Sequence, residues 1–280
     1  MPIRTLSLGA GVQSSAIALM SAVGELPPLD FAIFADTRAE PASVYKWLDW
    51  LEAQLPYPVH RAQKGDGLEA HEGSRTLTKE RTGARYVPTR VPYWMHDGAG
   101  MGGALRRGCT RDYKIRPIIA KVRELVRPPR GAREVWAEQW IGISTDEAHR
   151  MKPARDAWLM NRFPLIEARM SRADCLRWMR DRGYPRPPRS SCVFCPYHSP
   201  QEWRRLQTEE PQEYERAAVF EERIRSYIAE HDETIEGRPC LSKMGGRTLR
   251  EIDWDAELKT GQIELFADHW GNECEGMCGV

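Results

Sequence analysis

The chain has no apolar run close to the ~20 residues needed to span a bilayer. Its start, Met1-Pro2-Ile3-Arg4-Thr5, lacks the basic-then-apolar build of a secretion leader. These absences argue against a membrane partner and predict a cytoplasmic location. There is no internal repeat, and no even set of cysteines: seven are scattered through 280 residues. In a reducing compartment that favours metal binding or thiol chemistry over a disulfide framework. Net charge is also nearly missing, at +1 from 41 basic and 40 acidic residues. The balance is uneven along the chain. Between Arg106 and Arg189 lie 21 Lys/Arg against 10 Asp/Glu, which leaves 20 against 30 elsewhere. A basic half that also holds cysteines predicts an anionic substrate, either a nucleotide or a nucleic acid.

What is present is enough for one sizeable core with a small appended part, since 41% of residues are hydrophobic. Thr5–Leu8 and Phe31–Ala35 read as buried strands and Pro58–His60 as a third. Ser14–Val23 and Ala42–Leu55 carry helical spacing between them. This β-α-β-α-β alternation predicts an α/β fold, a mostly parallel Rossmann-like sheet with helices on both faces. Gln63–Gly108 loses periodicity and is glycine-rich, as a lid or insertion would be. Lys114–Val126 reads as a helix and Glu134–Ser144 as a strand. Ser171–Arg182 is a helix with Ser171 as N-cap and Asp174 in capping-box position. Residues 200–231 look helical. The predicted domains are a nucleotide-binding domain over 1–205, with 62–108 as the lid, and a helical extension over 206–280 ending in a cysteine-containing tail.

The first strand runs into Gly9-Ala10-Gly11-Val12-Gln13-Ser14-Ser15. Glycines 9 and 11 let the backbone approach an oxyanion, and Ser14 and Ser15 open a helix whose N-terminus attracts phosphate. The spacing is not that of a Walker loop, because no Lys follows the second glycine, nor that of a dinucleotide fingerprint.

Several motifs in order give the chain a wider resemblance. Gly9–Ser14 resembles the Ser-Gly-Gly-x-Asp-Ser loop of the pyrophosphate-loop (PP-loop, HUP-like) adenine-nucleotide α-hydrolases. Within these it resembles the phosphoadenylyl-sulfate reductase branch, where Gln often stands at the place of Gln13. Asp36-Thr37-Arg38-Ala39-Glu40-Pro41 is similar to that branch's Asp-Thr-Gly-x-Glu-x-Pro. Cys109-Thr110-Arg111-Asp112-Tyr113-Lys114-Ile115-Arg116-Pro117-Ile118 resembles its Cys-Cys-x-x-x-Lys-x-x-Pro-Leu. The run from Gly142 through Glu147 to Arg150 is similar to Gly-x-Arg-x-x-Glu-Ser-x-x-Arg, and Phe163-Pro164-Leu165 and Cys192–Pro196 follow in the family's order. The resemblance covers roughly residues 3–205. It implies that Gly9, Ala10, Gly11, Gln13, Ser14, Ser15, Asp36, Thr37, Arg38, Glu40, Gly142, Glu147 and Arg150 surround an adenine nucleotide. Lys114 is a further phosphate candidate, as is the Arg150 guanidinium with its forked donors. Two departures bear on chemistry: Arg38 stands in place of a glycine, and Gln13 in place of the aspartate of many ATP-cleaving members.

Cys192-x-x-Cys195 lets two sulfurs converge on one centre, and Cys109 offers a third. The readings are buried thiols, a structural zinc completed by His198 or another cysteine, and a [4Fe–4S] cluster, which the family places here. Thr110 stands where the cluster-bearing reductases have a second adjacent cysteine, which would leave one iron open unless Cys240, Cys274 or Cys278 closed it. The tail Glu273-Cys274-Glu275-Gly276-Met277-Cys278 is similar to the Glu-Cys-Gly tail of the sulfonucleotide reductases. It makes Cys274 and Cys278 candidate sulfur-handling thiols.

The expected activity is an ATP-dependent, iron–sulfur sulfurtransferase that uses ATP with Mg²⁺ and releases AMP and pyrophosphate. A tRNA or DNA acceptor and a sulfur donor are its expected partners. The alternative is an adenylyl-sulfate or phosphoadenylyl-sulfate reductase with Cys274 as nucleophile and a thioredoxin-like reductant. The third reading is a nucleotide- or nucleic-acid-binding module without catalysis.

Overall fold

The computed structural model describes residues 1–97 and 100–260, so the expected thiols Cys274 and Cys278 lie outside the described residues. In chain order the strands are β1 (Ile3–Leu8), β2 (Phe31–Asp36), β3 (Val59–Gln63), β4 (Leu77–Thr78), β5 (Arg85–Tyr86), β6 (Trp94–His96), β7 (Met101–Ala104), β8 (Ala137–Ile141), β9 (Leu159–Arg162) and β10 (Arg238–Cys240). The helices are α1 (Val12–Ala22), α2 (Ala42–Glu52), α3 (Leu68–His71), α4 (Arg116–Val126), α5 (Pro164–Glu167), α6 (Arg172–Asp181), α7 (Pro200–Glu209), α8 (Pro211–His231) and α9 (Trp254–Thr260). None of the described helices is long and apolar enough to cross a membrane. Contacts divide the chain into two units, 1–64 with 110–191 and 65–109 with 192–272, apart from the last residues. The sequence boundary at 205 therefore falls within the second unit, and residues 65–109, read as a lid, group with 192–272.

In the first unit β3-β2-β1-β8-β9 form one sheet, and every pairing is parallel. The predicted α/β class is the observed one. The period-2 alternation of β2 sorts its side chains: Ala32 and Phe34 join α1, α2 and α6, while Phe31, Ile33 and Ala35 join α4. A strand apolar on both sides belongs in the interior of a doubly covered parallel sheet. Ile17, Val44, Leu48, Cys175 and Met179 close one layer, and Ile118, Val122 and Val126 the other. Cys175 is fully buried there, as its mid-helix position predicts.

Local signals set several ends. The Ser171 side chain accepts from the Asp174 amide at 3.1 Å, and the Asp174 carboxylate accepts from the Ser171 amide at 2.9 Å. That reciprocal pair is the capping box expected for α6. The segment read as one helix from Lys114 differs: Thr110–Ile115 is a π-helical turn that precedes α4. Strand β9, Leu-Met-Asn-Arg, carries no strand pattern of its own and exists by pairing with β8.

The second unit is built on α7 and α8, with a three-stranded antiparallel sheet in the order β10-β6-β7 and a β4–β5 hairpin. Phe194 stacks on Phe220 with centroids 3.9 Å apart, and Trp203 on Trp254 at 6.2 Å. Two buried carboxylates tie its irregular segments. Glu221 accepts the amides of Leu241 and Leu249, each at 2.7 Å. Glu72, just beyond α3, accepts those of Arg90 at 2.8 Å and Val91 at 3.0 Å. Burial pushes Glu72 up to about 7, against the lowering pull of those amides. The stretch that lost its periodicity in the sequence is thus organised by hydrogen bonds to a carboxylate, which hydrophobic spacing does not reveal.

Candidate functional site

Strand order creates the crevice. From β1 the chain moves to β2 and β3 on one side and returns to pair β8 on the other. The β1–β8 boundary is therefore the topological switch point, where loops leave the carboxyl ends in opposite directions and ligands bind in open α/β sheets.

The loop from β1 into α1 occupies that point. Ala10 has φ +58°, a left-handed conformation unusual for a residue with a Cβ, and it is fully buried. Such strain persists only when neighbours over-determine it, and clusters at ligand sites. Here the Gly9 amide donates to Ser14 Oγ at 3.2 Å, while Ser190 Oγ donates to the Gly9 carbonyl. Ser15 Oγ accepts from the Trp47 indole at 3.0 Å, which ties α1 to α2. Gly11 is the N-cap of α1, and no side chain caps that end. The first-turn amides and the positive end of an eleven-residue helix thus face the loop.

The turn after β2 mirrors this arrangement. Asp36 accepts the Arg38 amide and the Tyr45 hydroxyl, each at 2.8 Å. Arg38 has φ +57° and is exposed. The resemblance puts a glycine there, and the left-handed backbone supplies the physical reason. Thr37 Oγ1 donates to Glu40 at 3.3 Å and accepts from the Ala39 amide at 3.2 Å. Glu40, 2% exposed, forms an ion pair of 3.3 Å with Lys114 from the π-helical turn.

From the β8 side, Gly142 leads into Ser144 and the 3-10 helix Thr145–Arg150. Glu147 bridges two partners: it accepts from Gln13 Nε2 at 3.2 Å and pairs with Arg150. The Gln13–Glu147 hydrogen bond spans the switch point. Gln13 is 1% exposed and its amide oxygen has no hydrogen-bond partner among the described residues. A buried acceptor in that state is a place for a ligand hydroxyl or a water. The fold therefore brings Gly9–Ser15, Asp36–Glu40, Lys114 and Gly142–Arg150 to the carboxyl ends of β1, β2 and β8. Ser190 and Tyr45 were missed in the sequence, Ser190 because its partner lies 181 positions away.

The cysteines behave differently. Cys192 and Cys195 sit in one turn, with the Cys195 amide donating to the Cys192 carbonyl at 3.0 Å. His198 Nε2 lies 2.9 Å from that same carbonyl, and its ring meets Trp203 edge-on at 4.6 Å. Cys109 is held by its amide, which donates to the Arg90 carbonyl at 3.0 Å. Among the described residues no three His, Cys, Asp or Glu side chains are arranged to hold a metal ion. Cys109, Cys192 and Cys195 are therefore not presented as a cluster or zinc site, and no chemistry is routed through one.

No protein-family model matches the chain, and no curated protein does. Among solved structures it is similar to a phosphoadenylyl-sulfate (PAPS) reductase from Candida auris in a phosphate complex. Identity is 13%, coverage 67% of this chain and 76% of that one, and the TM-score 0.40. A likeness that distant carries no weight for the chemistry of the site.

Proposed function

We propose that the switch-point crevice binds the phosphates of an adenine nucleotide and that the chain is an enzyme of the PP-loop type. The observation that carries this reading is the convergence of the uncapped α1 N-terminus, the strained Gly9–Gly11 loop and the Gln13–Glu147 bridge at one strand boundary. Helix-terminal amides hold phosphate without a Walker lysine. Lys114 and Arg150 supply cations, each already oriented by a carboxylate, Glu40 and Glu147. Pre-orientation of that kind lowers the cost of positioning charge as a leaving pyrophosphate develops.

In the proposed reaction an acceptor oxygen attacks the α-phosphorus of ATP and pyrophosphate leaves. The oxygen, a poor leaving group, becomes part of AMP. A sulfide or thiol nucleophile then displaces AMP, which completes a sulfur transfer. Mg²⁺ would arrive on the nucleotide phosphates. The basic run between Arg106 and Arg189 supports a polynucleotide acceptor.

The test incubates the full chain with ATP, with and without bulk tRNA, and separately with phosphoadenylyl sulfate. Pyrophosphate and AMP are expected from ATP and no sulfite from the sulfonucleotide. Sulfite release from a protein inert to ATP would give the chain to the reductase reading. Binding of ATP without turnover of either nucleotide would reduce it to a binding module. Gly11→Val, checked for folding by its thermal transition, is expected to abolish ATP binding in calorimetry, because its side chain crowds the first-turn amides.

A further inference from the structure

We propose that Cys192 and Cys195 form a reversible dithiol–disulfide couple, a redox site that exchanges electrons with small-molecule or protein disulfides. The proposal is independent of the nucleotide reaction and starts from the turn itself. The Cys195 amide donates to the Cys192 carbonyl at 3.0 Å, an i to i+3 hydrogen bond that closes a four-residue turn. A turn of this kind keeps its first and last Cα within ~7 Å. Disulfides need Cα atoms about 4.4–6.8 Å apart, so the turn brings the two sulfurs within bridging range without unfolding anything.

The residues between the cysteines make the turn a fixed platform. Val193 and Phe194 are fully buried, and Phe194 stacks on Phe220 of α8. Cys192 and Cys195 themselves are half-buried, at the margin where a disulfide substrate can reach them. The turn is held a second time by the His198 amide, 3.1 Å from the Cys195 carbonyl, and by the His198 ring on the Cys192 carbonyl. Buried ends with accessible thiols suit exchange better than a mobile loop, because the second thiol is already placed to resolve the first. The absence of a third ligating side chain in a metal-holding arrangement among the described residues leaves this pair with thiol chemistry.

The reaction balances in two steps. One thiolate of the pair attacks a sulfur of the oxidant R–S–S–R, forming a mixed disulfide and releasing R–S⁻, which takes a proton. The second thiolate attacks the protein sulfur of that mixed disulfide, closes Cys192–Cys195 and expels the other R–S⁻, which is protonated in turn. Two electrons pass from the cysteine pair to the oxidant, and both protons end on the released thiols.

The test uses the full chain, reduced, desalted without air and equilibrated with glutathione disulfide, then alkylated and digested with trypsin. Cleavage after Arg189 and Arg204 places both cysteines on one peptide, Ser190–Arg204. The expected product is that peptide unalkylated and lighter by two hydrogens, returning to the doubly alkylated form after a dithiol reductant. Cys192→Ser should instead trap Cys195 as a mixed disulfide with glutathione, which shows that Cys192 resolves it. The proposal is overturned if both cysteines of the folded wild-type protein remain fully alkylatable after equilibration. It is equally overturned if the purified chain carries stoichiometric zinc or iron whose removal is required before either cysteine reacts. Neither result bears on ATP turnover, so the two readings fail separately.

Discussion

Arg38 and Lys114 show how single residues carry opposite kinds of cost. Arg38 holds a left-handed backbone at the end of β2, which disfavours any side chain by roughly 1–2 kcal/mol. Arg38→Gly is expected to raise stability by about 1 kcal/mol in urea denaturation and to weaken ATP binding, because the cation is lost. Unchanged affinity would remove Arg38 from the nucleotide site. Lys114 and Glu40 are both buried and paired at 3.3 Å. Removing one partner strands the other charge, at a cost of about 3–5 kcal/mol. Lys114→Met should destabilise by that order and abolish pyrophosphate release. Adding Glu40→Gln should restore much of the stability and none of the turnover, which separates folding from chemistry. Lys114 was legible in the sequence as a phosphate candidate. Its partner was not, because 74 residues separate the two and no local pattern links them.

At the scale of elements, helix ends decide more than helix interiors. The α6 capping box was legible in Ser171-Arg172-Ala173-Asp174 because the chemistry is local. Its hydrogen bonds from the Ser171 hydroxyl and amide hold the Asp174 carboxyl below its ordinary value. Such a group contributes stability above its unfolded pKa, and the contribution is lost as pH falls through the folded one. Ser171→Ala should therefore cost about 1 kcal/mol near neutral pH and progressively less in acid, as followed by urea denaturation. An equal loss at both pH values would mean that the cap acts without the carboxylate. Helix α1 is the opposite case, since no side chain caps it and its amides are left for a ligand. The π-helical turn Thr110–Ile115 was invisible beforehand. Its sequence is ordinary helix-compatible chain, and the Lys114–Glu40 pair that it serves belongs to the fold.

Over the whole molecule, Glu72 makes stability depend on pH. Its surroundings are Arg90, Tyr93 and the amides of Arg90 and Val91, and burial dominates them, raising the carboxyl to about 7. The folded chain then holds a proton that the unfolded chain releases from about pH 4.5 upward, so the stabilising contribution is complete in acid and falls as pH rises to about 7. In wild type, unfolding free energy should drop across that window by on the order of 3 kcal/mol from this group. Glu72→Gln should flatten that slope in denaturant titrations at about pH 5 and pH 8. A slope unchanged in the variant would assign the dependence to another group. The Arg90 carbonyl also accepts the amides of Gly108 and Cys109, so the same carboxylate anchors both ends of a long irregular segment.

The sequence by itself determined what depends on neighbours along the chain. The β-α alternation, the two-sided burial of Phe31–Ala35, the glycine–serine loop at Gly9–Ser15 and the α6 cap follow from periodicity and hydrogen-bonding chemistry within a few residues. The tertiary structure alone decided what depends on distant pairing. It made a strand of Leu159–Arg162 by laying it on β8 and set Ser190 on the Gly9 carbonyl. It also bridged Gln13 to Glu147 across the switch point and joined residues 65–109 to 192–272. The cysteines divide the same way. Local spacing fixed the Cys192–Cys195 turn, whereas a third ligand had to come from elsewhere in the fold. Among the described residues the fold does not supply one, because placing a side chain in space is a property of packing and not of spacing.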